Sequence, residues 1–146
     1  MKQLREATTA DIPAMLGLLE QLFEIEQDFE FVESVQQLGL EELLASKALV
    51  LVAELAGEVV AMAQMQELVS TASGGKVGLI EDVIVDQAHR DQGLGEDLIE
   101  ALTEAAQERG YARLQLLADK DNYRALKFYG RLGWFATNLI PLRFEP

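Results

Sequence analysis

The run Gly78-Leu79-Ile80-Glu81-Asp82-Val83-Ile84-Val85 places two carboxylates inside a stretch that otherwise reads as a central strand. Successive strand residues point to opposite faces, so Glu81 and Asp82 are expected on different sides of a sheet. An ionised carboxylate buried without a partner is costly, so at least one of the two should line a cavity or pair with something. The plainer alternative has one acid facing water while the other caps a neighbouring loop.

Just beyond Val85 lies His89-Arg90-Asp91-Gln92-Gly93-Leu94-Gly95, which opens into a helix around Leu98. Glycines at a strand-to-helix junction let the backbone approach a ligand, and the free amides and helix dipole there favour an anion such as pyrophosphate. Two glycines by themselves serve an ordinary turn equally well. A dinucleotide-binding loop needs a third glycine where Leu98 stands, and a Walker loop needs glycine-lysine before serine or threonine; neither pattern is present.

The elements that must position these residues follow from periodicity. Leu4 to Ala7 can start a strand, and Thr9 or Asp11 can cap a helix with Pro13 in its first turn. Ile12, Met15, Leu16, Leu19, Leu22 and Phe23 then mark one apolar helical stripe. A second helix is predicted over Glu33–Ala45. Valine-rich strands follow at Ala48–Leu55 and Glu58–Leu68, turned by Ala56-Gly57, and a third at Val77–Val85. A helix through Leu98 and Leu102 closes at Arg109-Gly110, and Leu114–Ala118 is a short apolar strand. A last helix spans Tyr123–Leu132, and a hairpin of Trp134–Ala136 with Leu139–Phe144 is expected to close the chain. The resulting class is α/β (α+β): antiparallel N-terminal strands in a mixed central sheet, a parallel β-α-β crossover, and helices on both faces.

At 146 residues and 49% hydrophobic composition, residues 1–146 are expected to form a single domain. There is no cysteine, so no disulfide and no thiolate chemistry. Nothing resembles a signal peptide or a membrane span, which points to a soluble, cytoplasmic protein with no membrane partner. The net charge of −13 disfavours nucleic acid and suits a cationic small molecule. No lysine or arginine occurs between Glu6 and Ser46, where Phe23, Phe29 and Phe31 alternate with acids. No metal site is expected.

The remaining motif is Asn122-Tyr123-Arg124-Ala125-Leu126-Lys127-Phe128-Tyr129, continuing through Leu132-Gly133-Trp134. With Arg90, Gly93 and Gly95, this combination resembles the GCN5-related N-acetyltransferase family. That family carries an arginine-x-x-glycine-x-glycine loop and, further on, an asparagine, an aromatic-tyrosine pair and a leucine-glycine-aromatic ending. The Glu81-Asp82 pair makes the polyamine acetyltransferase branch look nearest.

The resemblance implies acetyl-CoA as co-substrate and no metal. Pantetheine would lie along Val83 and Val85 like an added strand, and the segment Arg90, Asp91, Gln92, Gly93, Leu94, Gly95 and Glu96 would hold the pyrophosphate. Asn122 would touch the pantetheine arm, and Tyr129 would sit near the thioester sulfur. Chemistry supports two catalytic roles. With a pKa near 10.4, only about one amine in a thousand is nucleophilic at neutral pH, so a base is needed, and Glu81 is the best-placed carboxylate. A phenol with a pKa of about 10 can protonate a thiolate, which suits Tyr129. Asp82 is read as structural, and His89 as a loop residue.

Relatives often carry glycine or a base where Asp91 stands, and with Glu96 and Asp97 nearby the phosphate site is expected to be weakened. The acceptor implied is a small-molecule amine, most simply a cationic one. A protein or peptide amine, or a cofactor-binding sensor without turnover, stays open as an alternative. So does a homodimer.

Overall fold

The computed structural model describes residues 1–146 as two compact units, Met1–Leu116 and Leu117–Pro146. The first unit contains every strand: β1 (Lys2–Glu6), β2 (Leu49–Leu55), β3 (Glu58–Ser70), β4 (Gly75–Val85) and β5 (Leu114–Leu116). They lie side by side in chain order, antiparallel from β1 to β4, with β5 parallel to β4. Ala56 and Gly57 turn β2 into β3 with φ of 52° and 81°, the doubly left-handed turn that fits a twisted two-residue hairpin.

Helix α1 (Ile12–Ile25) follows a 3-10 turn over Thr9–Asp11. Pro13 lies in its first turn, where a missing amide costs nothing. Asp11 holds this entry: it accepts the Thr8 amide at 2.7 Å and both Arg5 Nη atoms at 2.8 and 2.9 Å. Arg5 also donates to Glu54 at 2.7 Å, tying β1, β2 and the start of α1 together. Helix α2 spans Glu33–Ala45, the range expected from its periodicity. Helix α3 (Leu94–Glu108) forms the crossover from β4 to β5 and ends before Gly110 at φ 73°.

Both faces of the sheet are covered. Val50, Val52, Met62 and Ile84 join the core of Met15, Leu19 and Leu22 from α1. The intervening Leu51, Ala53, Ala61 and Ala63 are also buried, on the other face, and α3 packs on β2, β3 and β4.

The alternation breaks once, in β4. Met62 pairs with Ile84 and Gln64 with Glu81, so Asp82 and Val83 together oppose Ala63 alone. This β-bulge moves Ile84 onto the α1 face. Asp82 accommodates the extra residue with φ 55°. β5 pairs only with Gly78, Leu79 and Ile80, so from Glu81 to Val85 one edge of β4 has no strand beside it.

The second unit holds α4 (Tyr123–Arg131), which stops at Leu132 before Gly133 at φ 96°. The expected closing hairpin does not form: no strand occurs after α4. Pro141 has no amide to give a ladder. The Leu139 amide is taken locally by Thr137 Oγ1 at 3.3 Å. Leu139, Ile140, Leu142 and Phe144 stay exposed.

Gly78 sits where β5 meets β4, and a Cβ there would lie 2.7 Å from Leu114 Cδ2 and 3.0 Å from Met65 Sδ. Gly78→Ala should therefore destabilise the fold by about 1–3 kcal/mol. A lowered urea midpoint with unchanged slope is the expected reading, and an unchanged midpoint would show that Leu114 yields freely.

Candidate active site

Asp82 is the strained residue of the bulge. A non-glycine residue at positive φ costs roughly 1–3 kcal/mol, although Asp tolerates it better than most. The turn carries its carboxylate to Gln64, whose Nε2 donates to Asp82 Oδ2 at 2.9 Å. Gln66 Nε2 in turn donates to Gln64 Oε1 at 3.2 Å. Gln64 is the cross-strand partner of Glu81, and cross-strand partners share a face. The strict alternation expected for Glu81 and Asp82 therefore fails here: the bulge lets Asp82 reach a residue on the face that Glu81 occupies.

That face opens into a cavity of about 300 Å³ between α1, α2 and the sheet, lined in part by Leu19, Phe23, Leu40, Gln64, Gln66 and Asp82. A larger groove of about 690 Å³, between Thr9, Ile12, Pro13 and Leu16 on one side and Glu33, Gln37 and Glu41 on the other, takes no residue from β4. Burial pushes the Asp82 carboxyl above its usual range, and the Gln64 hydrogen bond offsets part of that rise. Glu81 is more exposed, yet partial desolvation, and after it the neighbouring Asp82 charge, also push its carboxyl up. A raised carboxyl keeps its proton to higher pH and is closer to the pKa that a base working near neutrality needs.

Next along the chain is a clamp not foreseen from sequence. Gln21 of α1 donates to Asp86 Oδ1 at 2.7 Å and accepts the Gln87 amide at 2.9 Å. Asp86 Oδ2 accepts the Ala88 amide at 3.1 Å and lies 2.9 Å from His89 Nδ1. Gln21 first, and His89 after it, hold the Asp86 carboxyl below its usual range. Arg90 Nε donates back to the Val85 carbonyl at 3.2 Å. His89 is thus a loop residue with a structural partner.

The loop then turns twice through the left-handed region, at Asp91 (φ 64°) and Gly93 (φ 80°). Gly93 is the N-cap of α3, and Leu94, buried to 2% exposure, anchors the first turn. The first helical amides have no acceptor within the helix and form an anion-binding concavity. Asp97, one of the acids set against phosphate, is neutralised by an ion pair with Lys2 of β1.

An open strand edge and an amide-lined turn stand side by side in the chain. The unpaired edge from Glu81 to Val85 can take one more strand-like partner, and the turn through Gly93 and Gly95 follows directly in the chain. Glu81, Val83, Val85, Arg90, Asp91, Gln92, Gly93, Gly95 and Glu96 thus follow one another along the first unit, with Leu94 buried beneath the turn.

Asn122 and Tyr129 belong to the second unit. Asn122 caps α4 by accepting the Ala125 amide at 3.1 Å. Tyr129 stands edge-on to Phe128 and Trp134, with ring centroids 5.1 and 5.9 Å away. All three rings are half-buried. Gln64 had a visible signal in the sequence: a polar residue inside the apolar run Val60-Ala61-Met62-Ala63-Gln64-Met65 asks for a buried partner. Gln21 had none.

Residues 15–134 match the Acetyltransferase (GNAT) family. Glucosamine 6-phosphate N-acetyltransferase 1 of Oryza sativa subsp. japonica is 34% identical over 143 residues, spanning 94% of this chain and 83% of that protein. The crystal structure of a transcriptional regulator from Bacillus halodurans C-125 superposes with a TM-score of 0.86 at 29% identity, over 99% of both chains. A predicted acetyltransferase from Clostridium acetobutylicum, solved with acetyl-CoA, shares the fold with a TM-score of 0.81 at 20% identity, over 98% of this chain and 96% of that one. The chain belongs to the GNAT family of acetyltransferases and is an acyltransferase. Acetyl-CoA is that family's co-substrate.

The clamp yields a direct test. Gln21→Ala removes two hydrogen bonds worth about 1 kcal/mol each, so it should raise KM for acetyl-CoA by about three- to tenfold while kcat stays near wild type. An unchanged KM would show that the segment from Asp86 to Arg90 holds its shape without α1.

Proposed function

We propose that the chain acetylates a primary amine on a small cationic molecule by direct attack on acetyl-CoA, with Glu81 as base and Tyr129 as acid. The observation that carries this reading is the raised Glu81 carboxyl beside the unpaired edge of β4. When bound, acetyl-CoA supplies the thioester carbonyl that the amine attacks. Glu81 takes the ammonium proton, directly or through water, and the free amine forms its N–C bond as the C–S bond breaks. Tyr129 gives a proton to the departing thiolate, and the second proton lost by the acylated nitrogen restores the Tyr129 phenol through solvent.

Backbone groups of Val83 and Val85 hold the pantetheine, the turn from Arg90 to Glu96 holds the pyrophosphate, and Asn122 directs its remaining amide hydrogens to the pantetheine arm. In this reading residues 1–146 act as one N-acetyltransferase domain in the cytoplasm. The absence of basic residues from Ala7 to Ala45 favours a cationic acceptor. A second reading, an amino-sugar phosphate, draws on the named activity of the rice relative.

Calorimetric titration with acetyl-CoA should give measurable binding, and thiol release should require an added amine. Absence of binding at millimolar cofactor would sink the reading. Glu81→Gln should lower kcat by roughly 10²-fold or more, as expected for loss of a general base. Tyr129→Phe should slow turnover while leaving acetyl-CoA affinity near wild type.

The pH profile has a fixed sign. Because the folded-state Glu81 carboxyl is raised, kcat/KM should climb with a midpoint above the usual carboxylate range, and Glu81→Gln should abolish that limb. A limb retained in the variant would assign the titration to another group.

A further inference from the structure

Asp82 combines three features that a purely structural acid does not need. It occupies a strained left-handed position, it lines a cavity, and no basic side chain answers it. Its one protein partner is the neutral Gln64, which binds Oδ2 and leaves Oδ1 without a hydrogen bond. Nothing that lines the cavity is basic. Arg5, the arginine just before the base-free stretch, is committed to Asp11 and Glu54. A desolvated carboxylate of this kind gains most from a cation brought by a ligand.

The rest of the cavity is consistent with that ligand. Phe23 offers an aromatic face, Leu40 and Leu43 an apolar wall, and Gln66 supports Gln64 from behind. A volume of about 300 Å³ lies at the small end of ligand pockets. A phosphate placed here would meet the Asp82 charge and no compensating base.

We infer that Asp82, oriented by Gln64, is the specificity-determining residue of the acceptor site: it binds a second cationic group on the amine substrate and turns away phosphorylated amines. This rests on the acetyl transfer proposed above. The acceptor class is then a diamine or aminoguanidine whose free amine is acetylated while its other end is held in the cavity.

The test uses the full chain at saturating acetyl-CoA, with thiol release followed for 1,4-diaminobutane, butylamine and glucosamine 6-phosphate. The diamine should exceed butylamine in kcat/KM by about tenfold or more, with glucosamine 6-phosphate the poorest of the three. Asp82→Asn, a residue that tolerates positive φ, should collapse the ratio of diamine to butylamine toward one, chiefly through KM for the diamine. Acetyl-CoA titration of the same variant reports that it is folded. Gln64→Met should reduce the ratio in the same direction.

A ratio near one in the wild type, a ratio retained in Asp82→Asn, or glucosamine 6-phosphate as the best acceptor would each overturn the assignment. Acetyl-CoA binding with thiol release to glucosamine 6-phosphate alone would remove this inference and leave acetyl transfer standing. No thiol release with any of the three would take both down.

Discussion

A single extra residue in β4 sets the geometry on which both halves of the candidate site depend. With Asp82 and Val83 opposite Ala63, the strand bends and the alternation of faces shifts, so Ile84 packs under α1 although Ile80 lies an even number of residues earlier. Beyond Ile80 the edge of β4 has lost β5, so the backbone from Glu81 to Val85 is offered on one side to a ligand. On the adjacent face the same bend turns Asp82 toward Gln64 and the cavity. A regular strand could have offered an open edge or an acid to the α1 side. The bulge supplies the two together.

Charge is distributed around that bend unevenly. The anion-binding turn after Gly93 is crowded by acids, and Lys2 answers one of them, Asp97, across the sheet. The cavity side carries no such compensation: the segment from Ala7 to Ala45 has no base, and Arg5 is spent on the entry to α1. Gln21 links the two regions. It leaves α1 between Leu19 and Phe23, which line the cavity, and grips Asp86 and Gln87 just ahead of the turn into α3. Two hydrogen bonds therefore join the helix that walls the cavity to the loop after β4.

Most of the scaffold was legible in the sequence, for identifiable reasons. The span Glu33–Ala45 of α2 was found although Val35 and Leu38 of its apolar pattern lie exposed and Leu40 is its buried residue, and Ala56-Gly57 marked its hairpin because glycine favours the positive φ that a two-residue turn needs. The strands β4 and β5 and the helix between them followed from their apolar runs and from Gly110. What could not be read is non-local. Alternation predicted opposite faces for Glu81 and Asp82, and a bulge is a property of two paired strands, invisible in one. The closing hairpin was inferred from the apolar residues Leu139 to Phe144, but Pro141 withholds the amide that pairing there requires. Gln21 looks like any solvated glutamine on a helix until its partner, 65 positions away, is known.

The relation between this chain and the amino-sugar acetyltransferases follows from the same division. The strand edge and the glycine turn of the first unit are features of the backbone. The cavity is lined by side chains of α1, α2, β3 and, through Asp82, β4. A phosphate is held by basic side chains or free backbone amides, and every lining residue of this cavity is apolar, amide or acid. An overall identity of 34% therefore leaves room for a different acceptor, because the charge of the cavity rests on a few side chains.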